Sequence, residues 1–162
     1  MRLASTNHSI ANALLKGHNN TQWSAVLLTQ HKQLEEEIAT IQRLLSRDFC
    51  HLLQLDKALK KLIKGVVIHL DLETCFLVPT LQGSELSAKQ KLALTQSYKK
   101  LQQTCHNTSD YIHHLKLTKG NRLINMENNL NIQSFLQEIS QRLKDEDSIY
   151  SCLDTDEATY AV

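Results

Sequence analysis

Helix breakers are scarce in this 162-residue chain, which has four glycines and a single proline, Pro79. β-branched alternation is almost absent as well, so helical periodicity is the first pattern to test. Cys-x-x-Cys is missing: Cys50, Cys75, Cys105 and Cys152 lie far apart. That spacing argues against a zinc ribbon, a thioredoxin-type motif or a small disulfide scaffold, and for reduced cytosolic thiols. No apolar run reaches the roughly 18 residues that span a bilayer, and "MRLASTNHSIANALLKGHNN" lacks the unbroken apolar core of a signal peptide. The expectation is a cytoplasmic protein with no membrane contact. An excess of one charge is also lacking, with 18 Lys and Arg against 17 Asp and Glu. No global field gathers nucleic acid, and the locally basic "DKALKKLIKG" and locally acidic "KDEDSIYSCLDTDE" read first as solvated faces. No Ser-His-Asp arrangement, phosphate loop or dinucleotide fingerprint is visible, so an enzyme is not expected.

What is present is apolar spacing at alternating steps of three and four. Segment A, residues 21 to 46, carries Leu27, His31, Leu34, Ile38, Ile41 and Leu45. Segment B, 51 to 81, carries Leu52, Leu55, Leu59, Leu62, Val66, His69, Glu73 and Phe76. Segment C, 87 to 117, has Leu94, Tyr98, Leu101, Cys105, Thr108, Ile112 and Leu115, and segment D, 132 to 153, has Phe135, Ile139, Arg142, Glu146, Ile149 and Leu153. Four segments with one apolar seam each describe an all-α, antiparallel up-and-down four-helix bundle. The domain is expected over 21–153, after an N-terminal extension (1–20) and before a flexible tail (154–162). "SRD" separates A from B, Pro79 stops B, Gly83 and a Ser87/Gln90 capping box separate B from C, and Asn131 caps D.

The exceptions within the seams are His31, His69, Glu73, Tyr98, Arg142 and Glu146. Folding A on B about Cys50 puts His31 and His69 level, each 19 residues from the turn. Each polar residue alone has an ordinary reading as a hydrogen-bonded core group or a surface pair. Together they point to one buried polar layer, because an unpaired buried charge costs several kcal/mol. His31, His69, Glu73 and Glu146 form a workable ligand set for one metal ion. Arg142 offers the opposite solution, since its guanidinium can neutralise Glu73 and Glu146 without any metal.

"HLDLETCFLVP" resembles the helix of hemerythrin-like (HHE cation-binding) domains, in which a metal-binding histidine is followed by a glutamate four residues on and a proline ten residues on. His69, Glu73 and Pro79 match that spacing, "LLTQHKQLEEEI" places His31 at the first-helix ligand position, and "QRLKDEDSIYSCL" keeps a carboxylate at Glu146. The resemblance implies non-haem iron or another divalent metal, with a sensing or regulatory role. Arg142 stands where that family has a histidine, and Tyr98 about where the third helix supplies another. The implied site is therefore incomplete, holding one iron or no metal, with Tyr98 and Arg142 as outer-sphere groups or charge substitutes. "RLKDED" and "QSYKKL" are similar to segments of the regulator-of-sigma-D (Rsd/AlgQ) family. That resemblance implies a metal-free regulatory bundle that binds a protein, a sigma factor of RNA polymerase.

Overall fold

The computed structural model describes residues 23–47, 49–83, 88–120, 123–124 and 130–157. Among them the chain is all-α, with four long helices: α1 (Trp23–Leu45), α2 (Leu52–Gly83), α3 (Ala88–Lys119) and α4 (Leu130–Glu157). No helix among the described residues is long and apolar enough to cross a membrane. Helix α1 packs on α2 and α4, and α3 packs on the same two. All four contribute to one apolar core, including Leu34, Ile38 and Ile41 of α1, Leu59, Leu62 and Val66 of α2, Leu101 and Ile112 of α3, and Phe135 and Ile139 of α4. Each fully buried Leu, Ile or Phe contributes about 1.5–3 kcal/mol of transfer free energy, which is why the three-and-four spacing decides which face of each helix turns inward.

Several expected boundaries move. The helix α2 does not stop at Pro79 but runs on to Gly83. Proline lacks the N–H that would bond one turn back, a loss that falls on the preceding turn and does not stop the last four residues from staying helical. Asn131 lies inside α4, which starts at Leu130, and that helix continues past residue 153 to Glu157 because no glycine or proline interrupts it. The expected extension (1–20) and the Ser87 cap lie outside the described residues. Helix α3 ends at Gly120, whose φ of 65° is the left-handed conformation that closes a helix, with its N–H bonded to the Lys116 carbonyl at 3.0 Å.

One pairing has no counterpart in the sequence reading. Two-residue strands β1 (Cys50–His51) and β2 (Leu123–Ile124) pair antiparallel, tying the α1–α2 connection to the α3–α4 connection. Two residues are too few to leave a period in the sequence. Cys50, Cys75 and Cys105 are free thiols, and burial pushes the Cys105 thiol up to about 12, which keeps it unreactive.

Two features set the spacing of α2 against its neighbours. At Gly65 a Cβ would stand 2.8 Å from Leu34 Cδ2, so a larger residue would have to displace the tip of the Leu34 side chain, one turn from His31 and from His69. Nearer the β1–β2 pairing, the buried Asp56 carboxylate accepts from Lys60 Nζ at 3.0 Å and Lys116 Nζ at 2.8 Å, joining α2 to α3. Burial alone would raise the Asp56 pKa, but the two ammonium groups outweigh it and bring it below the ordinary 3.8. A depressed carboxyl adds stability above its unfolded pKa and loses it as pH falls through the folded one. Asp56→Ala should therefore lower unfolding stability by about 1–3 kcal/mol at pH 7. In urea unfolding followed against pH, the deficit should shrink below pH 3.8.

Candidate metal centre

Three buried side chains from three helices turn their inner polar atoms toward one point. His31 of α1, His69 of α2 and Glu146 of α4 are 3%, 2% and 1% exposed, so no solvent shell separates them. His31 Nε2 lies 3.2 Å from His69 Nε2, Glu146 Oε2 lies 3.3 Å from the first and 3.1 Å from the second. Adjacent apolar residues explain the arrival: His31 follows Leu27 by one turn and precedes Leu34 by another, so the same stripe that buries the leucines buries the imidazole.

The outer nitrogens settle which tautomer faces inward. His31 Nδ1–H donates to Asp147 Oδ1 at 2.6 Å, and His69 Nδ1–H donates to Gln30 Oε1 at 3.1 Å. With the proton of each neutral ring on Nδ1, both Nε2 atoms present lone pairs to a carboxylate oxygen. Three acceptors at these separations repel unless positive charge sits among them. A proton on a ring or a metal ion meets that requirement.

Arg142 organises the other half of the layer. Its Nη2–H donates to Glu73 Oε2 at 2.7 Å, its Nη1–H donates to Ser97 Oγ at 2.7 Å, and its Nε pairs with Glu146 Oε1. Glu73 is completed by Tyr150, whose hydroxyl donates to Oε1 at 2.9 Å. The Tyr150 ring lies tilted against His31 with centroids 5.4 Å apart, so this fully buried residue touches both halves of the layer. One guanidinium thus serves two carboxylates, and the balance between them is uneven. Burial and the neighbouring Glu146 charge push the Glu73 pKa up, against the pull of His69, Arg142 and Tyr150. Burial opposes ionisation of Glu146 too, but a ring proton on the inner nitrogen of His31 or His69, donated to it, and the Arg142 charge bring it down to about 2. Burial works against charging His31, yet its hydrogen bonds to Glu146 and Asp147 outweigh that and raise its pKa above 6.5.

The donor set can be tested for fit. Atoms about 2.1 Å from one first-row ion, at angles of about 90–110°, lie about 3.0–3.4 Å apart, and the three sides of this triangle fall in that range. Two neutral imidazoles and a carboxylate are also the ligand types that such ions take, and each histidine has an oxygen acceptor on its outer nitrogen to orient it. The residues present fit one metal ion.

Comparison with protein-family models, with curated proteins and with solved structures finds no match to this chain. The site has to be read from its own residues.

Of the candidate ligands, His31, His69 and Glu146 come together as one group. Glu73 stands outside it, because both its oxygens are engaged by Arg142 and Tyr150. Tyr98 stays outside as well: it is half-buried, and its hydroxyl accepts from Gln102 Nε2 at 3.1 Å, while its neighbour Ser97 is the α3 residue that reaches Arg142. Gln30, Ser97, Asp147 and Tyr150 were not among the expected site residues. Tyr150 alone carried a signal, one turn beyond Glu146 on the same face; the other three flank seam positions and look like surface residues in sequence.

Removing the guanidinium tests this network. Arg142→Leu should cost about 3–5 kcal/mol in urea unfolding, because buried carboxylates lose their counter-charge. Adding Glu73→Met to Arg142→Leu should recover a large part of that loss, and a double variant no more stable than Arg142→Leu would contradict the pairing.

Proposed function

We propose that this protein is a hemerythrin-like, antiparallel up-and-down four-helix bundle that binds one divalent transition-metal ion, iron by the resemblance, in a sensing or regulatory role. The observation that carries the reading is the triangle of His31 Nε2, His69 Nε2 and Glu146 Oε2, with sides of 3.2, 3.3 and 3.1 Å. The topology is supported by pairings in which position advances along one helix as it falls back along the next, or the start of one helix meets the end of the next. His31 with His69 and Glu37 with Lys61 relate α1 to α2, Asp56 with Lys116 relates α2 to α3, and Ser97 with Arg142 and Lys100 with Glu138 relate α3 to α4.

In this reading His31, His69 and Glu146 hold the ion. Asp147 and Gln30 keep the imidazoles in the tautomer that presents Nε2. Arg142 pairs with Glu73 and shares Glu146, so these three groups present one net negative charge to the ion. Bound there, iron supplies a Lewis-acidic, redox-active centre with positions left for a small ligand. Tyr150, itself fully buried, covers the layer from its contacts with His31 and Glu73.

A second reading, a metal-free regulatory bundle that binds a protein such as a sigma factor, is favoured by one observation. Arg142 already supplies positive charge to both carboxylates without a metal.

Metal analysis of anaerobically purified protein separates the two. The metal reading expects about one iron per chain, lost in His69→Ala and Glu146→Gln and retained in Glu73→Gln, with a higher Tm in the loaded protein. Wild-type protein free of metal, refusing added iron and zinc, would contradict it and leave the partner-binding reading.

A further inference from the structure

Arg142 borders a second space. A groove of about 490 Å³ runs between α3 and α4, lined among others by Ser97, Lys100, Ser134, Gln137, Gln141 and Arg142. Its size is that of a small-ligand pocket, and its lining is rich in hydrogen-bond donors. Of the two carboxylates on its wall, Glu138 is paired with Lys100 at 3.3 Å, while Asp145 accepts from Gln141 Nε2 at 2.9 Å and keeps its charge at the exposed rim. Arg142 has donors to spare. Each of its terminal nitrogens carries two N–H bonds, of which the contacts to Ser97 and Glu73 use one apiece. Ser97, which accepts from Arg142, keeps its own hydroxyl proton for donation.

Charge sets the conditions under which this groove attracts an anion. A dication in the triangle adds positive charge to the layer that Glu73, Glu146 and Arg142 form, and so favours an anion next door. An acceptor that draws on the Arg142 guanidinium also loosens its hold on Glu146, leaving that carboxylate a better ligand. Both effects act in the same direction.

We infer that the α3–α4 groove is a binding site for a small oxyanion, seated on Arg142 and Ser97, and that its occupancy and metal binding at the triangle reinforce each other. The coupling rests on the metal-binding reading above; the groove does not. Because affinities are linked reciprocally, the anion tightens metal binding by the factor that the metal tightens the anion, typically about 5-fold to 150-fold.

The test is a titration of the full chain, metal-free and zinc-loaded, with acetate and separately with sulfate at constant ionic strength, followed by amide NMR. Saturable shifts at Ser97 and Gln141 are expected, with acetate and sulfate distinguishing a planar carboxylate from a tetrahedral oxyanion. Filling the groove with Ser134→Trp, or with Gln137→Trp should the first not fold, is expected to abolish the shifts while zinc affinity stays unchanged. No saturable shift in either state, or shifts that survive both fillings, would overturn the site. Zinc should tighten the anion at least about fivefold; equal affinity with and without bound zinc overturns the coupling. Calorimetry with zinc alone or iron alone reads the metal site separately. Failure to bind zinc, and iron in the same experiment, removes the metal reading and the coupling together, and the metal-free titration still decides the groove.

Discussion

Two imidazole nitrogens and a carboxylate oxygen held within van der Waals reach of one another, out of water, need positive charge among them. That constraint reaches far beyond the three atoms. It requires α1 and α2 to approach closely, which Gly65 permits opposite Leu34. It requires the outer nitrogens of both rings to be held as donors, which Asp147 and Gln30 do from α4 and α1. It also requires the far side of Glu146 to be satisfied, which falls to Arg142. The apolar seams bring the helices together, and the polar layer selects the heights at which they meet.

Arg142 has two allegiances. Toward Glu73 it is a structural counter-ion that, with Tyr150, makes a buried carboxylate tolerable. Toward Glu146 it competes with whatever the histidines face, because a guanidinium on one carboxylate oxygen withdraws negative charge from the other. The layer therefore holds two kinds of positive charge in series: a fixed one on α4, and an exchangeable one between His31 and His69. The groove between α3 and α4 opens on the fixed charge.

Much of this was legible in the sequence. The three-and-four spacing identifies α1 and α2 residue by residue, and Leu27, Leu34, Ile38, Ile41 and Leu45 are all buried. Folding about Cys50 brings His31 and His69 level, and they meet. Spacing puts Glu73 with the histidines, but spacing fixes the side of a helix and not the partner. At i,i+4 from His69, Glu73 shares its face, yet Arg142 and Tyr150 reach it first. Ser97 was missed for the same reason: α3 is the least patterned helix, and a rotation of one residue exchanges it with Tyr98. Gln30 and Asp147 carry no period at all, since they act from the edges of the seams, where polar residues are unremarkable.

The most direct measurement is anomalous diffraction from crystals of the protein loaded with iron or zinc. The account predicts one strong peak per chain, within bonding distance of His31 Nε2, His69 Nε2 and Glu146 Oε2, with Glu73 still on Arg142. A peak confined to surface histidines such as His106, or none in the buried layer, would contradict it.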